Sequence, residues 1–179
     1  MNYHLFQMIN SGAGKVDVVD DVLEWAAVWL IYVLGALAVV PVIRGGRPAA
    51  AATLRVLAAL ALAFALGRAT AALSTEVRPF QTHQVHQLIP HATGPSLPSD
   101  HATAAFTLAL AVGVFLSRRW GVALTILAVV IGFARVWTGV HYPGDIAAGA
   151  LVAAAAVVAV AVTARRYERR FRRRPGATA

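Results

Sequence analysis

Five apolar stretches dictate what this chain can fold into. They run from about Val18 to Ile43, Ala49 to Leu73, Ala102 to Leu116, Val122 to Thr138 and Pro143 to Ala164. A bilayer core takes about 20 apolar residues per helix. In hydrocarbon every backbone N–H and C=O must be satisfied within its own segment, so such stretches become helices. The expectation is an all-α fold: a polytopic transmembrane helix bundle of about five spans, in a single domain over residues 1–179. Acidic residues open the first stretch, which therefore reads as a span rather than a cleaved signal peptide. The Gly residues scattered through the stretches allow close helix contact.

Composition closes the other routes. Only 13% of the 179 residues are charged and 59% are hydrophobic. Soluble domains carry roughly 25% charged residues. The shortage excludes a soluble enzyme and a disordered chain. The absence of Cys excludes a disulfide scaffold, thiol chemistry and cysteine-ligated metals.

Charge placement orients the bundle. With five spans, 12 of the 16 Lys and Arg residues share one face: Arg44, Arg47, Arg55, Arg118, Arg119 and the tail from Arg165 to Arg174. The remaining four are Lys15, Arg68, Arg78 and Arg135. The positive-inside rule assigns the cation-rich face to the cytoplasm. All six His and seven of the eight acids fall toward the other side. The basic tail, 165–179, follows a span directly, so it reads as a cytoplasmic anchor on anionic headgroups rather than a nucleic-acid site.

Polar residues beside the membrane are functional candidates, and here they gather in two places. One is the long loop Ser74–Asp100, with Arg78, His83, His86, His91 and Pro98-Ser99-Asp100-His101. Ser99 or Asp100 is a natural N-cap for the third span, and the free N–H groups of a helix start suit phosphate. The other is Arg135 to Asp145. His141 and Asp145 stand four apart and can meet across one turn. A carboxylate on one imidazole nitrogen leaves the other as a nucleophile or base. Two Arg, two His, an Asp and a helix start at one face make a site for a tetrahedral oxyanion.

These residues resemble the type-2 phosphatidic acid phosphatase superfamily, whose pattern has three blocks: Lys, six residues, Arg-Pro; Pro-Ser-Gly-His; and Ser-Arg, five residues, His, three residues, Asp. The chain supplies Arg78-Pro79, then Pro98-Ser99-Asp100-His101, then Arg135, His141 and Asp145 at the third block's spacing. It departs at Asp100, where the family has Gly, and at Ala134, where it has Ser. It also departs at Ala71, where the Lys would fall. Arg68, one turn deeper, either reaches up in that lysine's place or serves as a packing or interfacial residue. The run Arg-Pro-Phe, His-Gln-Val-His-Gln-Leu-Ile-Pro-His-Ala and Pro-Ser-Asp-His-Ala, together with the opening Met1 to Ile9, is similar to the bacitracin-resistance type of undecaprenyl-pyrophosphate phosphatases.

The resemblance implies an integral-membrane phosphoric anhydride hydrolase of the bacterial plasma membrane. It would take the terminal phosphate from a polyprenyl (undecaprenyl or decaprenyl) pyrophosphate and recycle a cell-wall carrier lipid. His141 would form a phosphohistidine, Asp145 orient it, and His101 act as acid then base. Arg78, Arg135, the backbone at Ser99 and, with its alternative open, Arg68 would bind phosphate. Pro98, Asp100, His83, His86 and His91 are further substrate-contact candidates, with solvated loop histidines as the plainer reading. No metal and no cofactor are expected, since the Arg residues neutralise the phosphate. The implied partners are the polyprenyl pyrophosphate and membrane lipids, with no nucleic acid and with a homo-oligomer left open. The active-site loop would face the periplasm or exterior. The alternatives are a phosphatidic acid or phosphatidylglycerol phosphate phosphatase and, in a different class, a lipid or ion transporter. A transporter is opposed by charges that gather at one face with no internal repeat. Trp25, Trp29 and Trp120 read as interfacial anchors or as packing against lipid, and Trp137 as a wall of the site.

Overall fold

The computed structural model describes residues 2–45 and 49–172. The expected turn at 46–48 and the tail from 173 onward lie outside the described residues. The described residues form eight helices: α1 (Asn2–Asn10), α2 (Asp17–Val28), α3 (Leu30–Arg44), α4 (Ala49–Leu73), α5 (Pro79–Thr82), α6 (Asp100–Phe115), α7 (Arg118–Trp137) and α8 (Pro143–Arg172).

Three helices, α4, α7 and α8, are long and apolar enough to cross a membrane. The expected first span is broken: α2 and α3 pass the same test only as a pair, bent by 54°. The vertex is Trp29, whose N–H still donates to the Trp25 carbonyl at 2.8 Å. The chain therefore turns without losing that bond. The expected third span is α6, predominantly apolar but only 16 residues long. The fifth span extends beyond Ala164, because the basic tail continues α8 to Arg172. Arg55 on α4 pairs with Glu168 there at 2.5 Å. Both side chains are substantially exposed, so the pair adds little stability.

The exposed faces suit lipid. On α7, Val122, Ile126 and Val129 are exposed, spaced at three and four residues along one stripe. Leu54, Leu57 and Phe64 on α4, with Leu151 and Val158 on α8, do the same. Apolar stripes this extensive are unsuited to water and fit an acyl environment. The chain is a multi-pass membrane protein.

The inward face of the central helix is built mainly from small residues. The apolar helix α6 sits at the centre, packed on α4, α7 and α8, with Ala102, Ala105, Ala109 and Ala111 fully buried. Thr103 and Thr107 are buried beside them, and each hydroxyl donates to the carbonyl four residues back, at 2.9 and 2.6 Å. No polar group is stranded in this stretch. A Cβ on Gly121 would lie 2.3 Å from the Gly113 Cα, so α6 and α7 approach to backbone contact. Close approach of this kind is how helices associate where burial in lipid offers no hydrophobic gain.

Chain direction positions the site. Helices α4, α6, α7 and α8 alternate, so the end of α4, the start of α6, the end of α7 and the start of α8 come to one end of the bundle. The long loop (74–99) and the turn 138–142 meet there, with α1 lying against α7 and α8 at the same end.

Candidate active site

The turn between α7 and α8 is wound back on the helix it leaves. Thr138 Oγ1 donates to the Ala134 carbonyl at 2.8 Å. The amides of Val140 and His141 both donate to the Arg135 carbonyl at 3.3 Å. Gly139 makes this possible with φ +81°, a left-handed conformation that favours glycine. A Cβ there would lie 2.6 Å from the His86 carbonyl oxygen, so the long loop rests directly on the turn. The result places His141 beside Arg135 and under the loop.

His141 and Asp145 meet as their spacing predicts. The His141 Nδ1 stands 3.1 Å from Asp145 Oδ2, with 2% and 0% of the two side chains exposed. The same Oδ2 accepts from Ser96 Oγ at 2.5 Å and from the Tyr142 amide at 2.8 Å. On the other side of the ring, Arg78 Nη1 lies 2.9 Å from His141 Nε2 and donates to the Val140 carbonyl at 3.2 Å. A guanidinium has no acceptor, so Nε2 must accept and carry no proton. The Nδ1 nitrogen then holds the hydrogen and donates it to Asp145. Burial pushes the His141 pKa well below the ordinary imidazole value, and the charges of Arg78, Arg135 and His91 push it further, against a Ser96 backbone hydrogen bond. The ring is neutral at neutral pH, with its Nε2 lone pair engaged by Arg78.

Around this ring lie donors with nothing to bind. Arg135 is 3% exposed. Its Nη1 donates to the Ala27 carbonyl at 3.3 Å, while Nε and Nη2 are buried without a partner. The Nε of Arg78 is likewise buried and unpartnered. Burial draws the Arg78 pKa below its usual range, and the charges of Asp145 and Asp100 oppose this. Buried donors left unpaired are costly, and donors of this kind suit an anion.

The start of α6 completes the arrangement. Ser99 is its N-cap, accepting from the Ala102 amide at 3.5 Å. The Ser99 amide donates to the Asp145 carbonyl at 3.2 Å. The helix-start amides left for an anion are therefore those of Asp100 and His101. Asp100 occupies the first turn, and its charge acts on Arg78, Arg135 and His91. His101 interacts electrostatically with Arg135, His141, His91 and Arg78, so both imidazoles share one group of cations.

The loop histidines separate. The His91 ring stands edge-on to His141, with centroids 6.0 Å apart. Burial lowers its pKa, opposed by the ring's hydrogen bond to the Ala92 carbonyl. His83 instead stacks on Tyr3 at 3.9 Å, and His86 is held through its backbone by Asn10. Among the described residues no three His, Asp or Glu are placed to hold a metal ion together. Arg68, Arg78, His91, Pro98 and Asp100 wall a cleft of about 140 Å³. Larger cavities of about 430 and 680 Å³ lie around Thr163 and Tyr167, about 27 Å along α8 from Asp145 by helix rise. They hold none of these groups.

Comparison with known proteins gives the lineage. Residues 52–170 match the PAP2 superfamily. The chain belongs to the PAP2 superfamily. It is 32% identical over 157 residues to the undecaprenyl-diphosphatase BcrC of Bacillus subtilis (strain 168), covering 86% of this chain and 79% of that protein. It is 34% identical over 152 residues to YbjG of Escherichia coli (strain K12), covering 84% and 76%. The crystal structure of Aquifex aeolicus LpxE superimposes with a TM-score of 0.74 at 25% identity, covering 89% of this chain and 93% of that chain. The PAP2 blocks quoted from the sequence thus converge at one end of a fold shared with a solved relative.

Two elements of this PAP2 site carried no signal in the sequence. Ser96 donates to the buried Asp145 but stands two residues before the Pro98 block, outside any motif. Asn10, 3% exposed, accepts from the His86 amide at 3.0 Å and donates to the carbonyls of His86 and Trp137 at 2.8 and 2.7 Å. It clamps the long loop to the end of α7. Trp137, expected as a wall of the site, has another role: its Nε1 donates to Asp20 at 2.8 Å, and its ring packs under Gly12. It ties the N-terminal segment down.

Proposed function

We propose that this chain removes the terminal phosphate of a polyprenyl (undecaprenyl or decaprenyl) diphosphate, leaving the lipid monophosphate and recycling a cell-wall carrier. The observation that carries the reading is the buried, neutral His141, tied at Nδ1 to Asp145 and bonded at Nε2 by Arg78, whose Nε, like two donors of Arg135, is buried without a partner. The kinship with BcrC supports the substrate class.

The incoming phosphate takes over the Arg78 donor that occupies Nε2. The freed lone pair attacks phosphorus in line, and the N–P bond forms as the P–O bond to the bridging oxygen breaks. The leaving lipid phosphate keeps that electron pair and accepts a proton from His101. Asp145 stabilises the positive charge that develops on the phosphorylated ring. In the second step His101 removes a proton from water, whose oxygen attacks phosphorus. The N–P bond breaks, its electron pair returns to Nε2, and inorganic phosphate leaves. Arg78, Arg135 and the amides of Asp100 and His101 hold the equatorial oxygens, where transition-state charge is spread. The guanidiniums supply the neutralisation for which other phosphatases use a metal ion.

The cation-rich ends of α4, α7 and α8 face the cytoplasm in this reading, with the site opening on the extracytoplasmic side of a bacterial plasma membrane. The deciding experiment is phosphate release by detergent-solubilised protein in EDTA. Polyprenyl diphosphate, phosphatidic acid and phosphatidylglycerol phosphate are compared. Polyprenyl diphosphate is the expected best substrate, and His141→Ala the expected inactive variant. Preference for either glycerolipid, or loss of activity in EDTA, overturns the corresponding part of the reading.

A further inference from the structure

Beside the reaction site lies the cleft of about 140 Å³ walled by Arg68, Arg78, His91, Pro98 and Asp100. Arg78 belongs to both spaces. Its Nη1 reaches His141 Nε2 at 2.9 Å, while its Nε is buried with no partner. Whatever enters the cleft is therefore one guanidinium away from the nucleophile.

Arg68 also lines this cleft. It lies five residues before the end of α4, about 7.5 Å along the helix by its rise. Among the described residues it makes no hydrogen bond and no ion pair, although the helix that carries it is long and apolar enough to cross a membrane. An unpaired cation at such a position is costly, and where one stands it is usually paired or marks a ligand path. The side chain can lift its head toward the rim, and the rim at that point is the cleft.

We propose that this cleft holds the lipid-side phosphate of a diphosphate substrate, with Arg68 as the residue that distinguishes a diphosphate from a monophosphate. The inference rests on the reading of the chain as a polyprenyl diphosphate phosphatase. The two phosphates of a diphosphate share one bridging oxygen, so the second must occupy space adjoining the first. The lipid chain attaches to that second phosphate and must leave toward the bilayer. Arg68 stands on a membrane-spanning helix, on the membrane side of Arg78. Asp100 shares the wall and offsets one of the two guanidinium charges. With Arg68 neutralised, the fixed charges of Arg78 and Asp100 cancel, and the cleft loses its attraction for an anion. A terminal phosphate, held by Arg78, Arg135 and the helix start, keeps its donors.

The test compares Arg68→Gln and Arg68→Lys with the parent protein in detergent. Values of kcat/KM are measured for a polyprenyl diphosphate and for phosphatidic acid, a lipid monophosphate. Loss of a charge-assisted contact predicts that Arg68→Gln lowers the diphosphate-to-monophosphate ratio about tenfold or more, and that Arg68→Lys recovers part of it. A ratio that stays put in Arg68→Gln, whether both activities fall or neither does, overturns the inference. An independent measurement separates this from the underlying function. With the parent protein, methylenediphosphonate is expected to inhibit phosphatidic acid hydrolysis at least tenfold better than inorganic phosphate, and Arg68→Gln to erase that difference. If polyprenyl diphosphate is not hydrolysed but the inhibition difference appears and depends on Arg68, the functional reading fails while the diphosphate cleft stands. If the diphosphate is hydrolysed but the two anions inhibit alike, the cleft fails and the function stands.

Discussion

The Arg78 guanidinium donates to the very nitrogen of His141 that faces the anion site, at 2.9 Å. In the proposed mechanism, a cation against the lone pair masks His141 until a substrate oxyanion claims that cation. The same side chain donates to the Val140 carbonyl, so it holds the turn while it waits. Lysine has the charge but not the planar fork. Arg78→Lys is expected to lower kcat/KM about a hundredfold with little change in thermal midpoint. Steady-state phosphate release alongside a melting curve checks it, and retained activity would show that the fork is dispensable.

Asp145 gathers three donors on one oxygen: the His141 ring, Ser96 Oγ and the Tyr142 amide. Asparagine is nearly isosteric, but it cannot stabilise a charged ring and can turn its amide nitrogen toward Nδ1. Asp145→Asn should cost about 10³- to 10⁴-fold in kcat, by analogy with carboxylates that orient catalytic imidazoles. Phosphate release with the melting curve intact is the readout. A loss below tenfold would mean that the backbone turn alone positions the ring.

The pH behaviour of His141 has a definite sign. Burial, then the charges of Arg78, Arg135 and His91, lower its pKa in the folded chain. The unfolded chain therefore binds the extra proton first, starting near the ordinary value of about 6.5. From there down to the folded pKa, stability falls as pH falls. Imidazole ¹⁵N NMR of the protein in micelles should show residue 141 unprotonated at pH 6.5 and still so well below it. A ring half-protonated at pH 6.5 contradicts the geometry in which Arg78 donates to Nε2.

Asn10 joins two backbones through three hydrogen bonds. Asn10→Ala leaves one amide and two carbonyls unpaired, for a cost of about 3 kcal/mol at roughly 1 kcal/mol each. Asn10→Asp keeps the acceptor for the His86 amide but sets carboxylate oxygen against two carbonyls. It is expected to be at least as damaging as alanine. Thermal unfolding of the two variants in detergent decides it, and an aspartate variant as stable as the parent would remove Asn10 from the clamp.

The local parts of the site were legible because they are local. His141 and Asp145 are separated by one helical turn, so their spacing alone predicts the contact. Ser99 sits at the boundary where an apolar helix begins, and serine caps such boundaries for reasons of backbone geometry. The apolar stretches likewise foretold α4, α6, α7 and α8, because a helix satisfies its backbone within its own residues. The bend at Trp29 was not legible, since neither proline nor glycine marks it.

Residue order alone supplies the material: apolar helices, cation-rich helix ends, and three sequence blocks in a PAP2 order. Packing then selects which of the polar groups at the site end of the bundle come together. Arg78 meets His141 across 63 residues, and Ser96 meets Asp145 across 49. Arg68 enters a shared cleft while His83 turns away to stack on Tyr3. The physical reason is that each such contact depends on how helices pack through small residues and where α1 presses the loop. No spacing within a single element encodes that.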